Sequence, residues 1–299
     1  MPPKYTIAII HLNMVETVTR SLTSILEQID DRFEVIVVDD GSTDGSVEIL
    51  QWLEKEYDNL RVFTDAGNKN HGEARGHAVK LASGEYILAS LDADDEFTPC
   101  IPQFTSLYHE LEGVKENDFL LLGYGLYMAP RSLLLEIPYR SLGYGEDRDL
   151  YRRLLAEDAF LSLSHHPIRN ALGYQPSRVQ KIKIGVETIT SQFRSGLYLR
   201  PYLKWAFEEM VGKRNRISSK RGFLHLVVAP LAYLLSYRHE CYECPEKFRD
   251  IGAYKDALMD AHMTLSEIED QFGIKVDRDK IGPRGVAVFD TDIKRTLID

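Results

Sequence analysis

Apolar residues over the first hundred positions alternate between two spacings. Tyr5 to Leu12 is an almost unbroken apolar run, suited to a strand buried on both faces. Val15 to Gln28 then repeats apolar residues at Val18, Leu22, Ile25 and Leu26, a helical spacing. Phe33 to Asp39 reads as a second strand, Asp40 to Gly45 as a turn with a Ser/Thr/Asp cap, and Val47 to Glu56 as a second helix. Leu60 to Thr64, Glu73 to Ala82 and Tyr86 to Leu91 continue as strand, helix and strand. This alternation predicts an α/β fold with a doubly wound, mostly parallel sheet. Beyond Asp95 the rhythm weakens, with a helix over Phe104 to Leu111 and a strand over Asp118 to Gly123. Gly143-Tyr144-Gly145 gives a flexible entry to a helix whose first turn holds Glu146, Asp147 and Asp149, a placement that suits the helix dipole. From about Ser191 the pattern is helical. We therefore expect an α/β domain over residues 1–190 and a mainly helical region over 191–299.

Two acidic clusters stand out against this pattern: Val37-Val38-Asp39-Asp40-Gly41-Ser42-Thr43-Asp44-Gly45-Ser46, and Leu91-Asp92-Ala93-Asp94-Asp95. Each follows an apolar run, so each is expected at the carboxyl end of a buried strand, where open α/β sheets keep their ligand crevice. Two carboxylate sets at one sheet edge suggest a nucleotide with a divalent metal.

Composition removes several other readings. A net charge of −10 and pI near 5.5 argue against a nucleic-acid-binding surface. Charge is uneven: Arg194 to His225 carries eight Lys/Arg against Glu208 and Glu209. Three cysteines do not make a disulfide framework, and the start Met-Pro-Pro-Lys has no signal-peptide pattern. The expectation is a cytoplasmic catalytic part, peripheral on the cytoplasmic membrane face if the basic segment meets lipid.

Taken in order, these segments resemble the GT-A (Rossmann-like) nucleotide-diphospho-sugar glycosyltransferases, especially the inverting family 2 group. The resemblance covers roughly Tyr5 to Leu155. It rests on the first strand with Asn13 and the helix carrying Ser24-Ile25-Leu26 and Gln28; on Val37 to Ser46; on Gly72-Glu73-Ala74-Arg75 leading to Ala82-Ser83-Gly84-Glu85-Tyr86-Ile87; on Asp92-Ala93-Asp94-Asp95; and on Gly145-Glu146-Asp147-Arg148-Asp149-Leu150. It implies a nucleoside-diphosphate sugar donor, most commonly a uridine one, and a glycan or lipid-linked acceptor. The leaving diphosphate gathers negative charge as the sugar becomes oxocarbenium-like, so a cation must meet it. Carboxylate oxygens suit Mg²⁺ or Mn²⁺. Asp94 is the expected anchor of that ion, Asp92 its support and the ribose contact, and Asp95 an outer group. Asp40 would face the base and Asp39 the ribose or the loop itself, while Arg75 would run beside the nucleotide. Asp147 is the expected catalytic base, opposite the leaving group, with Glu146 orienting the acceptor. Where this chain has Gly76, the family commonly has Asn.

Other signals are weaker. His165 or His166 could add to the metal shell, although a capped strand end explains both; His71 reads as a loop residue. Cys241 and Cys244, with His239, have the spacing of half a zinc knuckle and no second half. Leu199, Tyr202, Leu203, Ala206, Phe207 and Met210 share one helical face, and Phe223 to Tyr237 is nearly uncharged but short of the roughly 20 residues that span a bilayer. Residues 194–237 therefore fit either a peripheral membrane contact or a packed helical unit or dimer contact. A sugar-1-phosphate nucleotidyltransferase would need a Gly-rich basic loop where His11-Leu12-Asn13-Met14-Val15-Glu16 stands, and G-x-G-x-x-G is missing for a dinucleotide oxidoreductase. A non-catalytic sugar-nucleotide-binding or membrane scaffold protein of the same fold is the remaining alternative, which Asp92, Asp94 and Asp147 disfavour.

Overall fold

The computed structural model describes residues 3–64, 67–173, 177–213 and 218–291. Its first elements follow the apolar rhythm: β1 (Tyr5–His11), α1 (Val18–Leu26), β2 (Phe33–Asp39), α2 (Ser46–Glu56), β3 (Leu60–Phe63), α3 (His71–Leu81) and β4 (Tyr86–Ala89). The chain continues through β5 (Asp95–Phe97), α4 (Ile101–Leu111), β6 (Leu120–Leu122), β7 (Tyr127–Pro130), α5 (Arg131–Glu136), α6 (Glu146–Ala156), β8 (Phe160–Leu163) and β9 (Arg169–Ala171). A helical run follows, α7 (Arg178–Arg194), α8 (Leu199–Met210), α9 (Ser219–Ser236) and α10 (Ile251–Asp260), and then β10 (His262–Met263), α11 (Leu265–Phe272) and α12 (Arg278–Phe289).

Eight strands form one sheet in the order β10-β8-β6-β7-β4-β1-β2-β3. Only β7 runs antiparallel to its neighbours, β4 and β6; the other pairings are parallel. Ile7, Ile9, Val35, Val37 and Leu88 enter one core, Ala8, Ile36, Val38, Ile87 and Ala89 the other. This is the two-residue period of a sheet covered on both faces. β5 and β9 pair separately as an antiparallel ribbon.

The expected boundary near residue 191 falls inside α7. The region after it is mainly helical, but it is not a separate unit. β10 pairs with β8 at the sheet edge, and the buried Phe289 of α12 stacks 5.6 Å from Phe104 of α4 and 5.1 Å from His165. A two-residue strand carries no readable period, so only its distant partner reveals it. α8 takes the packed form of the two expected: Tyr202, Trp205, Ala206 and Glu209 are buried, while Phe207 stays exposed. Among the described residues no helix is long and apolar enough to cross a membrane. Arg214 and Arg216 of the basic segment, Met1 and Pro2, and residues 292–299 lie outside the described residues.

Because Phe289 closes the core against Phe104, Phe289→Ala should cost about 3–5 kcal/mol, read by urea denaturation. A loss well under about 1 kcal/mol would show that the returning C-terminal segment is dispensable to the core.

Candidate active site

The carboxyl ends of β1, β2 and β4 lie side by side. Asp39, at the end of β2, is fully buried. Its Oδ2 accepts from Nδ1 of His11 at 2.8 Å and from Ser42 Oγ at 2.5 Å, and its Oδ1 accepts from the N–H groups of Gly41 and Ser42, each at 3.0 Å. Burial opposes its charge, yet these donors outweigh burial and hold its pKa below the ordinary carboxylate range. With four donors on one carboxylate, Asp39 organises the loop, one of the two roles expected of it. Asn13, at φ 55°, donates its N–H to Ser42 Oγ and accepts from the N–H of Thr43 at 2.8 Å; Asp44 accepts from the N–H of Val15. Asp40 points elsewhere: its half-buried carboxylate accepts from Asn68 Nδ2 at 2.7 Å, and burial raises its pKa.

After β4, Ser90 takes a positive φ of 65° and the chain turns into Asp92. Carboxylate oxygens of Asp92, Asp94 and Asp95 lie within 4.8 Å of one another. Burial first, then the charges of Asp92 and Asp95, raise the pKa of Asp94; burial raises that of Asp95, with Arg169 opposing. Three oxygen donors whose mutual repulsion is only partly offset fit a hard divalent cation.

Two arginines flank the triad. Arg169, on β9, places Nη1 2.5 Å from Asp95 Oδ2 and 3.6 Å from Asp92 Oδ2, over the Tyr124 ring. Gly125 makes room for it: at φ +100° a Cβ there would sit 2.7 Å from Arg169 Cδ. Arg75, on α3, donates from Nε to Glu146 Oε1 at 2.9 Å and lies 3.7 Å from Asp92 Oδ1. Burial works against its charge, but Glu146 and Asp92 outweigh it and raise its pKa well above the usual value. Its Nη1 is buried without a hydrogen-bond partner. An added Cβ at Gly76 would meet Tyr139 at an ordinary 3.7 Å, so the glycine does not shape this helix.

Gly145, at φ +102°, starts α6 as expected, and the first acidic turn divides. Glu146 is buried on Arg75, and burial raises its pKa. It therefore holds the arginine and is not placed to orient an acceptor, which corrects that expectation. Asp147 instead lines a cavity of about 260 Å³ together with Arg75, Asp92, Arg169, Tyr151 and His262. Two arginines and two carboxylates thus share one cavity.

Residues 6–112 match the model of glycosyl transferase family 2. Over those residues the chain resembles that family. It is 34% identical over 116 residues to a putative teichuronic acid biosynthesis glycosyltransferase of Bacillus subtilis, TuaG, covering 38% of this chain and 44% of that protein. It is 38% identical over 95 residues to a poly(ribitol-phosphate) beta-glucosyltransferase of Bacillus spizizenii, covering 31% and 15%. Under half of either relative is thus spanned. In fold it is similar to glucosyl-3-phosphoglycerate synthase from Mycobacterium tuberculosis, solved with Mn²⁺, UDP and glucosyl-3-phosphoglycerate, at TM-score 0.51, 20% identity, 64% of this chain and 80% of that one. Such glycosyltransferases are GT-A folds, and the sheet found here has that architecture.

Sequence reading missed Arg169, Ser90 and His262, which line the same cavity. Arg169 sits on a three-residue strand whose partner is 74 residues away, and no local period marks it. His165 is committed elsewhere: Nδ1 bonds the His166 carbonyl and Nε2 accepts from the Tyr124 N–H, both at 2.6 Å. That leaves no ring nitrogen for a metal. His166 is half-buried beside it and bonds the Val288 carbonyl through its own N–H. Cys244 is buried, Cys241 exposed, and both are free thiols; among the described residues the Asp triad is the group able to hold a metal.

Removing one member of the Arg75–Glu146 pair strands the other charge. Arg75→Ala should cost about 3–5 kcal/mol, while Arg75→Ala with Glu146→Gln should recover part of it. Urea denaturation of the full cycle reads the coupling, and additive losses would remove the pairing role of Glu146.

Proposed function

We propose that this protein is an inverting, metal-dependent glycosyltransferase that moves a sugar from a nucleoside-diphosphate donor, a UDP-sugar, to a hydroxyl of a glycan or lipid-linked acceptor. The observation that carries the reading is one cavity lined together by Arg75, Asp92, Asp147 and Arg169. The fold neighbour solved with Mn²⁺ and UDP supports the same pairing of ligands.

In this reading Asp94, with Asp92 and Asp95, would hold Mg²⁺ or Mn²⁺, which when bound offsets the charge of the leaving diphosphate. Arg75 offers its unpartnered Nη1 to the phosphates or the base, in a setting where burial strengthens the contact. Asp40 meets the nucleotide base. Asp147 takes the proton of the acceptor hydroxyl as its oxygen attacks the anomeric carbon, so nucleophile and leaving group stand on opposite faces and the configuration inverts. A lipid-linked acceptor would bring the enzyme to a membrane, and residues 194–237 are where we place that contact.

Asp147→Asn should keep donor binding within about threefold and abolish transfer; near-normal turnover would sink the assignment of the base. Titration with Mn²⁺ plus a panel of nucleoside-diphosphate sugars should raise the melting temperature for one donor, and a flat panel would overturn the donor reading.

For the triad the sign is opposite. A carboxyl whose folded pKa is raised loses stability as pH climbs through the window above its ordinary value. Asp94→Asn should therefore raise the metal-free melting temperature at neutral pH while removing Mn²⁺ binding, and an unchanged Mn²⁺ affinity would exclude Asp94 as ligand. Arg169→Gln should tighten Mn²⁺ binding without nucleotide, since it removes the cation that now faces Asp92 and Asp95. Weaker binding would show instead that Arg169 helps to build the site.

A further inference from the structure

The most unusual surface outside the cavity belongs to α9. Its buried positions Gly222, Ala229, Ala232 and Ser236 are small, which lets the helix lie close to its neighbours: a Cβ on Gly222 would come within 2.6 Å of the Met210 nitrogen. The other side is apolar and open. Phe223, Val227, Leu231 and Leu234 follow one helical stripe and are 59%, 60%, 56% and 66% exposed, with Leu224 and Tyr237 beside them. Six such side chains on one helix expose on the order of several hundred Å², as much as the largest apolar patch of an ordinary soluble monomer.

Charge narrows what can cover it. Between Ser218 and His239 there is no carboxylate, in a chain of net charge −10. Lys220 and Arg221 stand exposed in the first turn, and Arg238 is exposed just past the last. A second copy fits poorly: antiparallel pairing of two such helices sets Lys220 and Arg221 against Arg238, and parallel pairing sets each cation against itself. The helix, 18 residues long, is also not apolar enough to cross a bilayer.

We propose that the outward stripe of α9 docks on an anionic lipid surface, with the helix lying in the interfacial plane. Phe223, Val227, Leu231 and Leu234 enter the headgroup and acyl boundary while Lys220, Arg221 and Arg238 meet the lipid charges. The inference rests on the membrane contact assigned above to residues 194–237 and names the face that makes it. It needs neither the donor nor the transfer step.

Co-sedimentation with vesicles, without nucleotide, tests it. The wild-type protein should pellet with phosphatidylcholine vesicles containing phosphatidylglycerol, much less with pure phosphatidylcholine, and less at high salt. Val227→Glu with Leu231→Glu should lower binding at least tenfold; Lys220→Gln with Arg221→Gln should weaken it and flatten the salt dependence. Both pairs are surface positions, so circular dichroism and the melting temperature should match wild type. A wild-type protein that stays in the supernatant with anionic vesicles would overturn the proposal. So would equal binding by the Val227→Glu, Leu231→Glu variant, or a wild-type dimer that this variant dissolves. Donor-induced thermal shifts measured on the same variants keep the readings apart: their loss with vesicle binding retained would reject the transferase reading alone.

Discussion

A single buried guanidinium couples the two halves of the site. Arg75 reaches from α3 to Glu146 at the start of α6 and toward Asp92 after β4, so these two acids are fixed with respect to each other through one planar, permanently charged group. Glu146 could not be buried here alone, because an unpaired charge in such a place costs several kcal/mol. The same geometry frees Asp147: with Glu146 consumed by Arg75, the next carboxylate on α6 is the one left to line the cavity.

Around this pair the site is electrostatically unfinished. Asp94 and Asp95 have raised pKa values, and Arg169 bears on the same triad. Asp39 shows the opposite design: its donors are all supplied by the loop it organises, and its pKa is lowered. Adjacent residues Asp39 and Asp40 thus divide into one carboxylate satisfied by the protein and one held ready by a single asparagine. The two environments, more than the residue type, set the opposite shifts of these neighbours.

Much of this was legible in the chain. β1 to β4 and the helices between them are long enough for their period to show, and the acidic clusters sit where strands end. Asp92, Asp147 and Arg75 could be placed near one another because each is tied to such an element. What escaped reading depends on pairing across distance. Arg169 faces the triad only because β9 meets β5, and Glu146 looked like a partner of the acceptor because sequence cannot show that Arg75 lies against it. α8 stayed open for a related reason: an amphipathic stripe looks the same whether it meets lipid or another helix, and packing shows that α8 turns inward while the weaker stripe of α9 faces out.

The late return of the chain to its own sheet has a consequence for how the molecule is made. β10 completes the edge beside β8 after an excursion of about a hundred residues through α7 to α10. During synthesis the edge of β8 and the apolar face of α4 must wait uncovered until that excursion has emerged, a high-contact-order closure that is slow and exposes an unpaired strand. The helical excursion itself is built from local contacts and can form first. Vectorial assembly would then present the apolar face of α9 while the last strand is still missing, so a surface able to receive it early would also shelter the chain at its most vulnerable stage.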